Sequence, residues 1–593
     1  MSQQLFKNVP YDLRTLLNDV NIGRIGLPDL QRPFVWKDNK VRELLDSMIK
    51  GFPIGYIMLW ESPQIYDSNK SGHIGIEAKK IDVPKSLVID GQQRLTALLG
   101  AIYGIKVKDK DYNEKNIRIS YNPIKVKFEV WSQAYDRDPE WISQISDVFS
   151  ADLDHALPSF RKKYIREYNA SREKNGLDVL SDEEEDMIES NLNRLLELLT
   201  YNLPVMEISD KASEEDVSDI FVRVNSGGAQ LTEKNFIETL LAVYDNDIFK
   251  KINKFCEDSH TAKDGTSFNN IIVLEPSFIL RTTIALAFKR ARLKYAYMLL
   301  RGKDLKTGEF AEDIREDNLK LFRDKLNLVM DLNNWHSYLN LYAQVGYLNS
   351  SLISSNISVI YSYALYLIGK YDYKVQSIEL QDIIKKWIFM TTITSFFSNS
   401  TETTFEKILA DLREVKSDKD FIDYLSSQIN NKLTDDFFNV TLPELFKTSG
   451  NQSPAWFGFV ASIIVLDVPI LFGTTTLAYF FVPGINGSKK ATDKHHIFPK
   501  NYLAKQGITD DRIRNQTANF TYLDYQTNID IGDDAPNEYV NRYKDKLGVE
   551  AYNLTLSQNA IPIGFENMSY DEFLEKRRRL MSNTVRAAFK KIG

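Results

Sequence analysis

Asp493-Lys494-His495-His496-Ile497-Phe498-Pro499 is the stretch whose reading decides what the C-terminal part of this chain is. The chain has six histidines, and two of them stand side by side here. Neighbouring residues in extended backbone point to opposite faces, so His495 and His496 face different surroundings. Ile497 to Pro499 leaves the pair at a turn. Upstream, Leu477 to Val482 reads as a strand and Gly484 to Gly487 as a glycine-rich turn. Downstream come Asn515, Asn519 and Asn528, with Thr521-Tyr522-Leu523 strand-like between the last two. Cleaving a phosphodiester needs a water that loses its proton near neutral pH, which suits a neutral imidazole. It also needs a divalent cation to stabilise the developing charge. Magnesium takes oxygen-rich, near-octahedral sites and keeps several waters. One histidine and one asparagine carbonyl leave room for those waters and for phosphate oxygens. One histidine of the pair can then hold metal while the other faces the attacking water.

These residues resemble the ββα-metal HNH superfamily, in the variant written H-H-I-F-P-K, then A-N-x-T, then T-N-I, over roughly Lys490 to Tyr539. The resemblance implies roles. His495 is the first metal ligand and His496 the general base. Asn519, nine residues before the final ligand, pins the hairpin, and Asn528 on the following helix is that ligand. Asn515 has a less definite place and can serve as a cap or turn. The expected cation is Mg2+ or Mn2+. Cys256 is the single cysteine, so the zinc-stapled form of this fold is not expected.

A second constellation lies near the N-terminus. Val88-Ile89-Asp90-Gly91-Gln92-Gln93-Arg94-Leu95 reads as strand, tight turn and helix. A glycine there lets backbone approach a phosphate, and the free N–H groups of the new helix attract anions. Arg94 can grip phosphate oxygens through two N–H groups, and Asp90 can orient a cation or cap the helix. Pro28 to Trp36 adds a second Gln-Arg pair, Gln31-Arg32, and Phe221 to Gly228 is a strand ending in an Asn/Gly turn. Taken singly these are weak signals. Together they resemble the ParB/sulfiredoxin-like domain that carries D-G-Q-Q-R, over about Asn8 to Tyr244. Proteins of the GmrSD and SspE kind join that domain to an HNH domain and act against phage. The resemblance implies nucleoside-triphosphate hydrolysis, with GTP the expected nucleotide, at Asp90, Gly91, Gln92, Gln93 and Arg94. It also implies discrimination of modified from unmodified DNA. No Walker A lysine motif is present, so hydrolysis of the P-loop type is not expected.

The remaining composition sets bounds. At 593 residues, 43% hydrophobic and 26% charged, the chain has room for several ordinary globular domains. The reading is a multidomain α+β protein: a ParB-like domain over 1–245, an all-α region over 246–448, and a ββα-metal HNH domain with a basic tail over 449–593. Leu87-Val88-Ile89 and Val126 to Trp131 read as strands, Lys106 to Asn116 as a loop, and Ser181 as a helix cap. In the middle, apolar residues recur at three and four, as in Leu380, Ile383, Ile384, Trp387 and Ile388. Trp456 to Val482 is apolar, but Asp467, Pro469 and Gly473 interrupt it too soon for a membrane span. The expectation there is a buried core helix followed by a strand.

Few cysteines and no signal peptide predict a cytoplasmic protein. A net charge of −7 argues against general polyanion binding. Nucleic-acid contacts would come from local patches. Arg281 to Lys306 holds eight basic residues against the single acid Asp304, and the tail carries Arg577, Arg578 and Arg579 among others. With Gln31 and Arg32 these three arginines are the expected DNA contacts.

The function expected from the whole is a nucleotide-regulated, modification-sensing DNA endonuclease that nicks or cleaves phage DNA. Its expected partners are DNA and a nucleotide, with a homo-oligomer as an option and no membrane. The alternatives are a modification reader without NTPase activity that drives an HNH nuclease, and an RNA-cleaving toxin. The residues alone do not choose between DNA and RNA.

Overall fold

The structure, a computed structural model, describes residues 4–28, 34–61, 71–72, 85–109, 113–212, 216–217, 220, 224, 246–300, 302–303, 307, 311–398, 400–450, 452–482 and 492–592. It divides into two compact units, 1–251 and 252–593. The 448/449 boundary read from the sequence runs inside the second unit. Gln31, Arg32, the Gly484–Gly487 turn and most of the Phe221–Gly228 motif lie outside the described residues.

The first unit is built on a mixed six-stranded sheet in the order β1-β10-β3-β5-β2-β4. Its strands are β1 (Phe6–Asp12), β2 (Ile25–Pro28), β3 (Ile57–Glu61), β4 (Ser71–Gly72), β5 (Ser86–Asp90) and β10 (Asn202–Ile208). Two small hairpins supply the rest: β6 (Val107–Lys108) with β7 (Glu114–Lys115), and β8 (Ile119–Asn122) with β9 (Lys127–Val130). The segment Lys106 to Asn116, expected as a loop, therefore contains paired strands, Val107 opposite Lys115 and Lys108 opposite Glu114. Helix α1 (Leu13–Asn21) starts where the Asp12 carboxylate accepts from the Thr15 N–H at 2.8 Å. Its Leu13, Leu16, Leu17 and Val20 recur at helical spacing and are buried against the sheet core. With α2 (Asp38–Ile49) and α3 (Gln92–Tyr103) it lays one apolar face into a single cluster. Ser181 caps the helix Asp182–Leu196 in a reciprocal box with Glu184, as its sequence signature predicts.

In the second unit α4 (Pro276–Phe288), α5 (Asn356–Tyr371), α6 (Ser377–Ile393) and α7 (Thr401–Leu412) form a helical body. Trp335, Tyr338, Tyr363 and Trp387 are fully or almost fully buried in it. Helix α8 (Pro454–Val465) is buried nearly all round, the pattern of a core helix. It packs against α6 and against the last helix, α9 (Tyr570–Ile592). The run Leu477 to Val482 departs from its expected strand: Leu477–Phe481 is a short helix. The hairpin next to it is already closed as a two-stranded sheet. The run instead docks its first N–H on the Val468 carbonyl and turns back on itself, with the Tyr479 N–H on the Thr476 carbonyl. No helix among the described residues is long and apolar enough to cross a membrane.

Candidate functional site

Strand β11 (Thr492–His496) pairs antiparallel with β12 (Phe520–Asp524), setting His495 opposite Thr521 and His496 opposite Phe520. The pleat sends the two imidazoles to opposite faces. Each meets an asparagine there. His495 Nδ1 lies 2.6 Å from Asn528 Oδ1. Asn528 sits on the helix Tyr525–Ile531, which starts where Asp524 accepts from the Thr527 N–H at 2.9 Å and its hydroxyl at 2.6 Å. His496 Nε2 lies 2.9 Å from Asn515 Oδ1. An amide oxygen only accepts, so that nitrogen carries the proton and the Nδ1 lone pair is the basic one. Burial first, and then the nearby cations Lys500, Lys494 and Arg514, hold His496 below its ordinary pKa despite the opposing bond from Asn515. The ring is therefore neutral at physiological pH.

Asn519 is fully buried. Its Oδ1 accepts from the Phe498 N–H at 2.9 Å, and its Nδ2 donates to the Phe498 carbonyl at 3.1 Å and the Arg514 carbonyl at 3.0 Å. This ties the turn after the histidines to the start of β12. Among the described residues no three His, Cys, Asp or Glu side chains are grouped to hold a metal. A cation at the hairpin would rest on His495 and Asn528, an imidazole nitrogen and an amide oxygen. Such a sparse set suits a hard divalent cation that keeps most of its water.

Two neighbours escaped the sequence reading. Lys494 projects over the Phe520 ring at 3.8 Å and the Trp456 ring at 5.0 Å, and burial lowers its pKa to about 8. The His496 ring centroid is 4.5 Å from that of Phe520. The period-two pattern places Lys494 and His496 on one face of β11, a signal the sequence does carry. Their shared aromatic partner is not visible from it.

The basic tail needs correction. Arg577 is 0% exposed. Its guanidinium donates to the carbonyls of Phe520 at 2.9 Å, Asn559 at 3.2 Å and Ala560 at 3.4 Å. It holds β12 in place and cannot reach DNA. Arg578 is half-buried and donates to Gln516 Oε1 at 3.0 Å, while Arg579 is exposed beside Glu575 at 3.0 Å. In the other basic stretch, Arg281 pairs with Glu402, Lys289 with Asp372, and Arg290 with Glu406 at 2.9 Å. These three brace the helical body.

In the first unit the strand–turn–helix is present. Gly91 has φ +96°, and a Cβ there would fall 2.3 Å from Ile57 Cδ1, so the turn needs glycine on both counts. Asp90 ends β5 and Gln92 opens α3. Gln93 Oε1 accepts from the Val35 N–H at 3.0 Å. Arg94 Nη1 donates to the Ile54 carbonyl at 2.9 Å, and Nη2 lies 3.6 Å from Asp90 Oδ2. Gly55, with φ +88°, clears the guanidinium, because a Cβ would stand 2.5 Å from Nη1. A cavity of about 680 Å³ adjoins this loop, lined by Ile54, Gly55, Tyr56 and Tyr201 among others. The sequence signal for it was the turn-rich Gly51-Phe52-Pro53-Ile54-Gly55-Tyr56.

Comparison with known proteins agrees with the division into parts. Residues 13–242 match the family described as GmrSD restriction endonuclease, N-terminal domain. An uncharacterized protein of Methanocaldococcus jannaschii is 22% identical over 579 residues, covering 89% of this chain and 87% of its own. The first unit is thus similar to the N-terminal domain of a restriction endonuclease.

Proposed function

We propose that this protein is a metal-dependent DNA endonuclease of phage defence, with its nuclease centre in the β11–β12 hairpin. The observation that carries this reading is the pair of contacts His495–Asn528 at 2.6 Å and His496–Asn515 at 2.9 Å on opposite faces of one strand. His496 takes the proton of the attacking water through Nδ1, with Asn515 holding the tautomer that leaves that lone pair exposed to the reaction. His495 and Asn528 would hold Mg2+ or Mn2+, which would supply charge stabilisation for the scissile phosphate and the leaving oxygen. Asn519 acts through the backbone, as a positioning residue. The similarity of residues 13–242 to a restriction endonuclease domain supports DNA as the substrate.

In the same reading the Asp90–Arg94 turn binds a nucleoside triphosphate, GTP in first place, and governs the nuclease according to the modification of the DNA. The experiment is a nicking assay on supercoiled phage DNA, modified and unmodified, with Mg2+, with and without GTP. The wild type is expected to nick and His496→Ala to lose about 10²–10⁴ in rate. A folded His496→Ala protein that nicks like the wild type removes the assignment.

A further inference from the structure

The second unit contains a cavity of about 370 Å³ away from the hairpin's histidines. Three helix N-termini meet at its wall: Ser355 and Ser358 at the start of α5, Thr401 at the start of α7, and Pro454 at the start of α8. Thr391 and Thr392 from the end of α6 complete the floor. Among the described residues, no Asp, Glu, Lys, Arg or His lines it. The N-terminal ends of helices carry partial positive charge and outward N–H groups. The residues before α5 and α7, Ser355 and Ser400, make no side-chain cap bond, so neither side chain takes a first-turn donor. In α5 the Ser358 N–H turns to the Ser355 carbonyl at 3.2 Å, which leaves the N–H groups of Asn356 and Ile357 facing outward. The one acid in these three first turns, Glu402, is engaged by Arg281.

The second observation is independent of the helices. Ser358 is 4% exposed, and its Oγ is buried with no hydrogen-bond partner. A buried hydroxyl without a partner has given up its hydration with nothing in return. In a cavity wall it is a donor awaiting an acceptor. Thr391 and Thr392 already donate to the Ile388 carbonyl, at 3.2 and 2.7 Å, so they do not fill that role.

We propose that this cavity binds the phosphate group of a small molecule, held by the first-turn N–H groups of α5 and α7 and by the Ser358 hydroxyl. The chemistry is that of a phosphate at helix N-termini, and the volume sits at the lower end of the range for small-ligand sites, ~300–1,000 Å³. This site belongs to the second unit and the Asp90–Arg94 turn to the first, and it does not rest on the nuclease reading.

The test is thermal unfolding of the full chain against inorganic phosphate and against adenosine monophosphate, at constant ionic strength. Both probes are expected to raise the Tm saturably. A lower midpoint for inorganic phosphate assigns a free-anion site, and a lower midpoint for the nucleotide assigns a phosphate ester. Ser358→Ala is expected to raise the Tm without ligand, by removing the unpartnered hydroxyl, and to weaken both midpoints about tenfold or more, the loss of a charge-assisted hydrogen bond. Ser398→Glu, at the exposed rim of the cavity, places a competing carboxylate near the helix ends and is expected to abolish the shift. Arg94→Ala is expected to keep it. Absence of a saturable shift in the wild type overturns the proposal. So does a shift that survives both serine variants, or one that Arg94→Ala removes.

Discussion

The two turns at the heart of this molecule use their polar side chains in contrasting ways. In the C-terminal hairpin, His495 meets Asn528 and His496 meets Asn515, side chain to side chain. In the N-terminal turn, Arg94 grips the Ile54 backbone and Gln93 receives the Val35 N–H. The hairpin's architecture is held by other groups, Asn519 and Arg577, whose bonds go to backbone carbonyls and an N–H. Its histidines can therefore change partners without unfolding anything. The N-terminal turn has no such division of labour: the residues matched to a ligand-binding motif also hold the loop over Gly55. What separates a site residue from a scaffold residue here is the kind of partner it holds, and the residue type does not reveal it.

The contrast can be broken or sharpened by mutation. The largest effect belongs to His496→Ala, with about 10²–10⁴ lost in nicking and an unchanged Tm; a matching fall in Tm makes His496 scaffold. Next, Arg577→Met leaves the carbonyls of Phe520, Asn559 and Ala560 without this donor and is expected to cost about 1–3 kcal/mol for each left unsatisfied. Chemical denaturation measures it, and the loss should appear equally with and without DNA. Asn515→Ala should slow nicking about 10–100-fold, the range typical of losing an orienting partner of a histidine. Its pH–rate profile should move as the bond that raises the His496 pKa is removed: the base then titrates lower and activity persists to lower pH. A profile left in place makes Asn515 a bystander. Arg94→Ala should cost about 0.5–1.5 kcal/mol by removing the bond to the Ile54 carbonyl, together with any nucleotide response. Loss of the response at constant stability would place that turn in the same class as the hairpin. Smallest of all, reversing Arg579 should change the salt slope of DNA binding by at most about 1, and Arg577 should contribute nothing to that slope.

Much of this was legible beforehand. The glycine in Asp90-Gly91-Gln92 marked a turn that no side chain could enter, and alternation at His495-His496 sent the pair to opposite faces. Both signals are local. Leu477 to Val482 misled because apolar character does not separate a short helix from a strand; of the run only Leu477 is buried, while Tyr479 and Val482 are exposed. Its helical form follows from a bond to Val468, and from a hairpin already closed. Arg577-Arg578-Arg579 read as one run of DNA contacts, but a helix turns its residues to different faces. One arginine enters the core, one is half-buried and one stays in water. Nothing in the triplet alone says which, because the carbonyls that receive Arg577 lie on Phe520, Asn559 and Ala560.

The placement of Arg577 has a consequence for the order in which the protein is made. Its guanidinium holds the carbonyl of Phe520, and Phe520 lies opposite His496 in the strand pair. A ribosome delivers the hairpin well before it delivers α9, at roughly 5–20 residues per second. Until that helix docks, β12 lacks its brace and the imidazole its fixed backing. If the hairpin is the nuclease centre proposed above, a nascent chain is expected to cleave poorly while still tethered, and a chain truncated before residue 577 is expected to show no nicking. On that reading the buried arginine makes the activity depend on completion of the chain.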